Sequence, residues 1–160
     1  MTLYLPNLIL SRTPVELKMI KVQDEGFEKR VRSSFDDQKV MALIGARMVS
    51  LGPGRCEIEV PARDDLTQQD GFMHAGIVTT VLDTACGYSA YTLMPAGSRV
   101  LSVEFKVNLL APAKGKVIRA AAVVKRAGRT LIVCSGDAYS DGTICATMLA
   151  TMICIDPVKK

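Results

Sequence analysis

Tryptophan is absent from the 160-residue chain, and aromatic residues of every kind make up only 5% of it. The core must therefore be aliphatic, built from Val, Ile, Leu, Met and Ala. Apolar residues at 49% against 22% charged supply enough of it and exclude a disordered chain. There is one histidine, His74, and a zinc centre needs clustered His and Cys ligands. No G-x-S-x-G stretch occurs, which argues against a hydrolase built on a serine nucleophile elbow. The cysteines (Cys56, Cys86, Cys134, Cys145 and Cys154) are odd in number, form no C-x-x-C pair, and four of them sit in apolar runs. That pattern is expected of buried free thiols in a reducing compartment, and so of a cytoplasmic protein.

No run approaches the ~20 apolar residues of a membrane helix, so no membrane partner is expected. Residues 3–10 are apolar but few, contain Pro6 and follow no basic residue, unlike a signal peptide. Residues 1–23 are read as a loosely ordered arm, with Met19 as an alternative start, and residues 24–157 as a single domain of ordinary size. The net charge of +4 comes from scattered Lys and Arg, which does not describe a nucleic-acid binder.

Residues 24–45 read as a helix: Phe27, Val31 and Phe35 recur at four-residue steps, and Asp24 suits an N-cap. Gly45 and the Gly52-Pro53-Gly54 turn break the chain. Residues 55–61 alternate apolar and charged, as a half-buried strand does, and 64–73 read as a loop. Residues 75–93 form a second, almost uncharged helix whose apolar character points to burial on most sides. Strands follow at 100–110, 117–126, 130–139 and 143–155, the last two joined by Asp141-Gly142, a strong hairpin signal. The short turns imply an antiparallel meander. One buried helix against about five antiparallel strands makes a two-layer α+β domain, with an additional N-terminal helix. The methionines Met41, Met48, Met73, Met94, Met148 and Met152 read as core filler.

Asp83 is the only charge in the second helix. A carboxylate there is costly unless paired or functional, and burial would raise its pKa toward the range of a general base. The alternative is a structural Asp bonded to Thr79 or Thr80. His74 stands just before the same helix, followed by Ala75 and Gly76. The first helical N–H groups lack internal partners and carry the positive end of the dipole, so a carbonyl placed there would be polarised. The alternative is a histidine that only starts the helix. Asp83 lies seven residues after Gly76, roughly 10 Å along the helix, whereas reacting atoms must approach to about 3–3.5 Å. If both act on one substrate, they come from two copies of the chain, and a homodimer with antiparallel central helices satisfies this.

The stretch from Gln68 through Gly71, His74, Ala75 and Gly76, followed by Asp83 and Gly87, resembles the signature of the phenylacetate-pathway (PaaI-type) hotdog thioesterases. That pattern reads N-x-x-G-x-x-H-G-G, with an Asp nine residues after the His. Residues 101–105 and Ala111-Pro112-Ala113 are similar to the family's second strand and turn. The likeness covers residues 40–155. It implies a hotdog fold, with the sheet wrapped around the central helix, and hydrolysis of acyl-coenzyme A by a homodimer that assembles further to a tetramer. It implies Asp83 as nucleophile or general base, the N–H of Ala75 or Gly76 as carbonyl polariser, His74 as orienter of the loop or contact to the thioester region, and Ser102 as the residue positioning water. No metal or cofactor is implied. Gln68 stands at the family's Asn position and Ala75 at its first Gly. Arg126 and Arg129 on the 125–129 hairpin, with Lys114 at the neighbouring turn, are candidates for coenzyme A phosphates, or else ordinary solvated turns. Two other readings are a non-enzymatic acyl-CoA sensor, which needs no carboxylate, and an enoyl-CoA hydratase-like enzyme, whose histidine motifs differ from this one.

Overall fold

The computed structural model describes residues 22–155. The arm expected over 1–23 thus lies outside the described residues except for Val22, which packs on the core, and Gln23, whose Nε2 donates to the Leu93 carbonyl at 2.9 Å. The elements run α1 (Phe27–Asp36), α2 (Lys39–Ile44), β1 (Arg47–Gly52), β2 (Arg55–Pro61), a short 3-10 turn (Asp64–Leu66), α3 (Ala75–Tyr91), β3 (Arg99–Leu109), β4 (Val117–Ala127), β5 (Leu131–Ser140) and β6 (Thr143–Ile155). All strand pairs are antiparallel, in the order β1-β2-β4-β5-β6-β3. The sheet wraps α3, which lies against β2, β3, β4, β5 and β6. This is the hotdog arrangement.

Three details differ from the sequence reading. The first helix is two helices, broken at Asp37-Gln38 and ended by Gly45 in the left-handed conformation at φ 70°. Asp24 is not its cap, because the helix starts after Gly26; Asp24 instead accepts the Gly26 N–H at 2.9 Å and pairs with Arg30 at 2.8 Å. A sixth strand, β1, follows directly. It is an edge strand with a register shift between Met48 and Ser50, so it shows no clean alternation of buried and exposed residues. The third difference is topological. Only β4, β5 and β6 form a meander, and β3 lies beyond β6 at the far edge. The seven residues between β3 and β4 can extend over 20 Å. That is enough to cross the end of the sheet past β6 and β5, three strand spacings of about 4.8 Å each.

The core is aliphatic, as the composition requires. Met41, Met73, Met94, Met148 and Met152 are buried, and Met48 packs at the core's margin. All five cysteines are buried, and none is joined in a disulfide among the described residues. Burial pushes Cys56 up to about 12 and Cys134 up to about 11, so they stay protonated and unreactive.

Arg30 fixes the α1 unit to the end of α3. Its Nη2 donates to the carbonyls of Tyr91 and Met94 at 3.3 and 3.0 Å, and its guanidinium lies 4.2 Å over the Tyr91 ring. A cation at a helix C-terminus satisfies carbonyls that have no helical partner. Arg30→Ala is expected to lower stability by about 2 kcal/mol, the worth of a charged hydrogen bond at a half-sealed site. In a chain of this size that is a fall of roughly 4–8 °C in Tm by differential scanning calorimetry; an unchanged Tm would show that the α1 contact contributes nothing.

Candidate active site

Helix α3 is buried along one side through Val78, Val81, Leu82, Ala85 and Cys86. Its other side is a stripe of small and polar residues, Gly76, Thr80, Asp83 and Gly87, left open or half-open. These positions fall at helical spacing on one face. The apolar helix is therefore not enclosed on every side, and its single carboxylate stands on the open stripe, half-buried.

Ser102 fixes that carboxylate. It points inward from β3, opposite Met152 on β6, and its Oγ donates to Asp83 Oδ1 at 2.7 Å. Among the described residues Oδ2 has no hydrogen-bond partner. The structural alternative, a bond to Thr79 or Thr80, does not occur: those hydroxyls donate to the carbonyls of Ala75 and Gly76, at 2.9 and 2.8 Å. Asp83 and Ser102 line a cleft of about 300 Å³ together with Ser34, Gln38 and Tyr88.

The start of α3 is built by the loop before it. Gly71, at φ 79°, closes a turn in which its N–H donates to the Gln68 carbonyl at 3.0 Å. The Met73 N–H bonds to the Ala113 carbonyl at 3.0 Å and the His74 N–H to the Leu66 carbonyl at 2.9 Å. His74 is the N-cap, its Nδ1 accepting the Gly76 N–H at 2.9 Å. An acceptor at Nδ1 places the proton of the neutral ring on Nε2. Of the two amides the sequence offered as carbonyl polarisers, Gly76 is thus engaged by the imidazole, while the N–H of Ala75 has no partner among the described residues. Ala75 and Gln68 line a second cleft of about 370 Å³, with Met73, Val78 and Leu109 among its apolar walls. The Gln68 side chain folds back on its own loop. Its Oε1 accepts the Asp70 N–H, and its Nε2 makes a long contact of 3.4 Å to the Asp70 carboxylate.

The candidate residues therefore divide in two. Asp83 and Ser102 share one cleft, Ala75 and Gln68 the other, and no residue lines both. The three cations divide as well. Lys114 lies beside the second cleft, its Nζ 4.6 Å over the Phe72 ring. Arg126 and Arg129 sit exposed at the opposite end of β4, so one chain cannot close all three on one phosphate. Sequence reasoning missed Ser34, Gln38 and Tyr88 as neighbours of Asp83. Ser34 and Gln38, polar residues on a segment that reads as amphipathic cover, look like ordinary surface, and Tyr88 looks like core of the central helix.

The family model of the Thioesterase superfamily matches residues 70–147, which contain Asp83, Ser102 and the start of α3. A thioesterase family protein from Silicibacter pomeroyi is 51% identical, with 81% of this chain and 98% of that one covered and a TM-score of 0.80. The fold is shared with a thioesterase from Haemophilus influenzae (18% identity, TM-score 0.76, 88% and 98% covered). It is shared too with the E. coli PaaI protein from the phenylacetic acid degradation operon (14% identity, TM-score 0.77, 84% and 97% covered). The chain belongs to the thioesterase superfamily and is a hotdog-fold thioester hydrolase. Among the described residues no helix is long and apolar enough to cross a membrane.

A Cβ on Gly76 would lie 2.9 Å from His74 Nδ1, so Gly76→Ala must displace the ring. Because His74 is the only histidine, its ring nitrogens are unambiguous by NMR. The neutral ring is expected to carry its proton on Nε2, and Gly76→Ala should erase that preference. A proton on Nδ1 in the parent protein contradicts the cap.

Proposed function

We propose that the chain hydrolyses acyl-coenzyme A thioesters to the free acid and coenzyme A, at sites shared between two copies. The observation that carries this reading is the division of the candidate residues between two clefts on the open face of one rigid helix. Ala75 and Asp83 are eight residues apart, about 12 Å along α3, too far for both to touch one thioester carbon. A second α3 running antiparallel brings one copy's Asp83 to the other's Ala75.

β3 supports the pairing. It ends the sheet, no described strand pairs with its outer edge, and Leu101, Phe105 and Leu109 are 59%, 43% and 58% exposed. Phe105, Val107 and Leu109 lie opposite inward-facing residues of β6, so they extend the core side of the sheet beyond what the chain's own α3 covers. A long apolar edge strand is an association surface unless covered. Joining two β3 edges would cover it and set the two helix stripes face to face.

In this site the thioester carbonyl oxygen accepts from the Ala75 N–H at the positive end of α3, with Gln68 Nε2 as a second donor once it leaves its long contact to Asp70. His74 holds the loop that presents them, and its departure from Gly76 would release a further amide. Across the interface the free Oδ2 of Asp83 removes a proton from water, which Ser102 helps position through its remaining lone pairs. The water oxygen bonds to the carbonyl carbon, the developing oxyanion rests on the N–H donors, and collapse breaks the C–S bond. The thiolate leaves as coenzyme A with the proton Asp83 took up. Lys114, beside the cleft of Gln68, suits a coenzyme A phosphate; Arg126 and Arg129 reach that end only from another subunit. The buried free thiols suit a reducing cytoplasm.

Thiol release from a panel of acyl-CoAs tests the reaction. Asp83→Asn is expected to lower kcat at least 10³-fold while acyl-CoA still binds. Tight binding without turnover by the parent protein would instead make it a carrier or sensor. Sharing is tested by mixing two inactive chains, Asp83→Ala and Gly76→Val. Verified mixed dimers should regain up to half a normal dimer's activity, since one of two sites is intact; no regain contradicts shared sites.

A further inference from the structure

The cleft beside Asp83 runs along α3 past Gly87 and Tyr88, and its lining includes the hydrogen-bonding groups of Ser34 and Gln38 as well as the apolar Val100 and Leu101. Gly87 is one turn beyond Asp83 on the same face, and a Cβ built there meets nothing within 4 Å. A glycine inside a helix costs about 1 kcal/mol relative to alanine, and here no packing neighbour requires it; what it leaves is open room in the cleft. Tyr88, about 7.5 Å along the axis from Asp83, pairs its hydroxyl with Ser34 Oγ at 3.3 Å. Burial holds the Tyr88 phenol above its ordinary pKa, so it stays a neutral donor and acceptor. Beside this pair, Gln38 starts α2, and its Oε1 is sealed from water with no hydrogen-bond partner among the described residues. Buried polar atoms are satisfied in most native structures, and an orphan needs a reason. The terminal torsion of a glutamine is soft and roughly two-fold, so Gln38 can turn either its oxygen or its NH₂ into the cleft. Both hydroxyls of the Ser34–Tyr88 pair also retain bonding capacity.

Resting on the acyl-CoA reading of the site, we propose that Gln38, with the Ser34–Tyr88 pair, is a specificity-determining element that selects acyl groups carrying a hydrogen-bonding substituent, such as a hydroxyl, at the end remote from the thioester. Gly87 leaves the passage to it open. A plain hydrocarbon of the same length leaves Gln38 unpaired and strips water from the hydroxyl pair without replacement, which is how a polar pocket rejects an apolar analogue. The α1–α2 unit thus acts as the reader of the acyl end.

The test compares kcat/KM for hexanoyl-CoA and 6-hydroxyhexanoyl-CoA. The parent protein is expected to favour the hydroxylated ester by about fivefold or more, the worth of one well-made neutral hydrogen bond. Gln38→Leu should bring the ratio close to one, and Ser34→Ala should reduce it in part. The ratio is internal to each protein, so a general loss of activity does not mimic the effect, and Ser34→Ala serves if Gln38→Leu does not fold. Equal rates on the two esters in the parent protein, or an undiminished preference in the variants, overturn the proposal while leaving acyl-CoA hydrolysis standing. If neither ester is turned over, the acyl-CoA reading fails and this inference falls with it.

Discussion

A single charged hydrogen bond, from Ser102 on the edge strand to Asp83 on the central helix, organises the open face of this molecule. A carboxylate in so apolar a helix has three physical outcomes: it is neutralised, it is paired, or it is turned to an open surface and held there. The third has occurred. Ser102 holds one oxygen and leaves the other free, while the sheet seals the opposite side of α3 with aliphatic residues. The stripe around Asp83 is made of Gly76, Thr80 and Gly87, so the helix itself puts no large side chain over it.

The second constraint is rigidity. A 17-residue helix packed against five strands keeps its N-terminus and its middle a fixed distance apart. On the proposed reading, carbonyl polarisation belongs at the N-terminus, where the Ala75 amide has no partner among the described residues, and proton removal belongs at Asp83. On the proposed reading the fold resolves this by association rather than by bending. The bare β3 edge and the open α3 stripe are then two parts of one surface, whose completion also completes the chemistry. The α1–α2 unit has a separate task. Arg30 clamps it to the carbonyls ending α3, and it brings Ser34 and Gln38 to the cleft that Asp83 opens.

Much of this was legible in the sequence, for identifiable reasons. The four strands after the central helix announced themselves because alternation and the Asp141-Gly142 turn are local signals. The helix bounds were clear because His74 and the following small residues mark its start. Asp83 stood out because one charge in an apolar helix is improbable without a cause. What escaped was non-local or weakly buried. β1 has too little burial to alternate. The placement of β3 beside β6 depends on which strands pair, and turn length alone could not decide it. The engagement of Gly76 by His74, which singles out Ala75 as the free amide, is a matter of ring orientation. The sequence reading also grouped Lys114 with Arg126 and Arg129, but β4 separates them along its whole length.

The account turns on two copies of α3 acting on one carbonyl. The most direct measurement is a crystal structure with a non-hydrolysable acyl-CoA analogue in which methylene replaces the thioester sulfur. The account predicts the analogue's carbonyl oxygen within hydrogen-bond reach, about 3 Å, of the Ala75 amide of one subunit, and its carbonyl carbon facing the Asp83 carboxylate of the other across no more than a single water. A carbonyl gripped by Asp83 and Ala75 of the same chain, or bound away from both in a monomer, would contradict it.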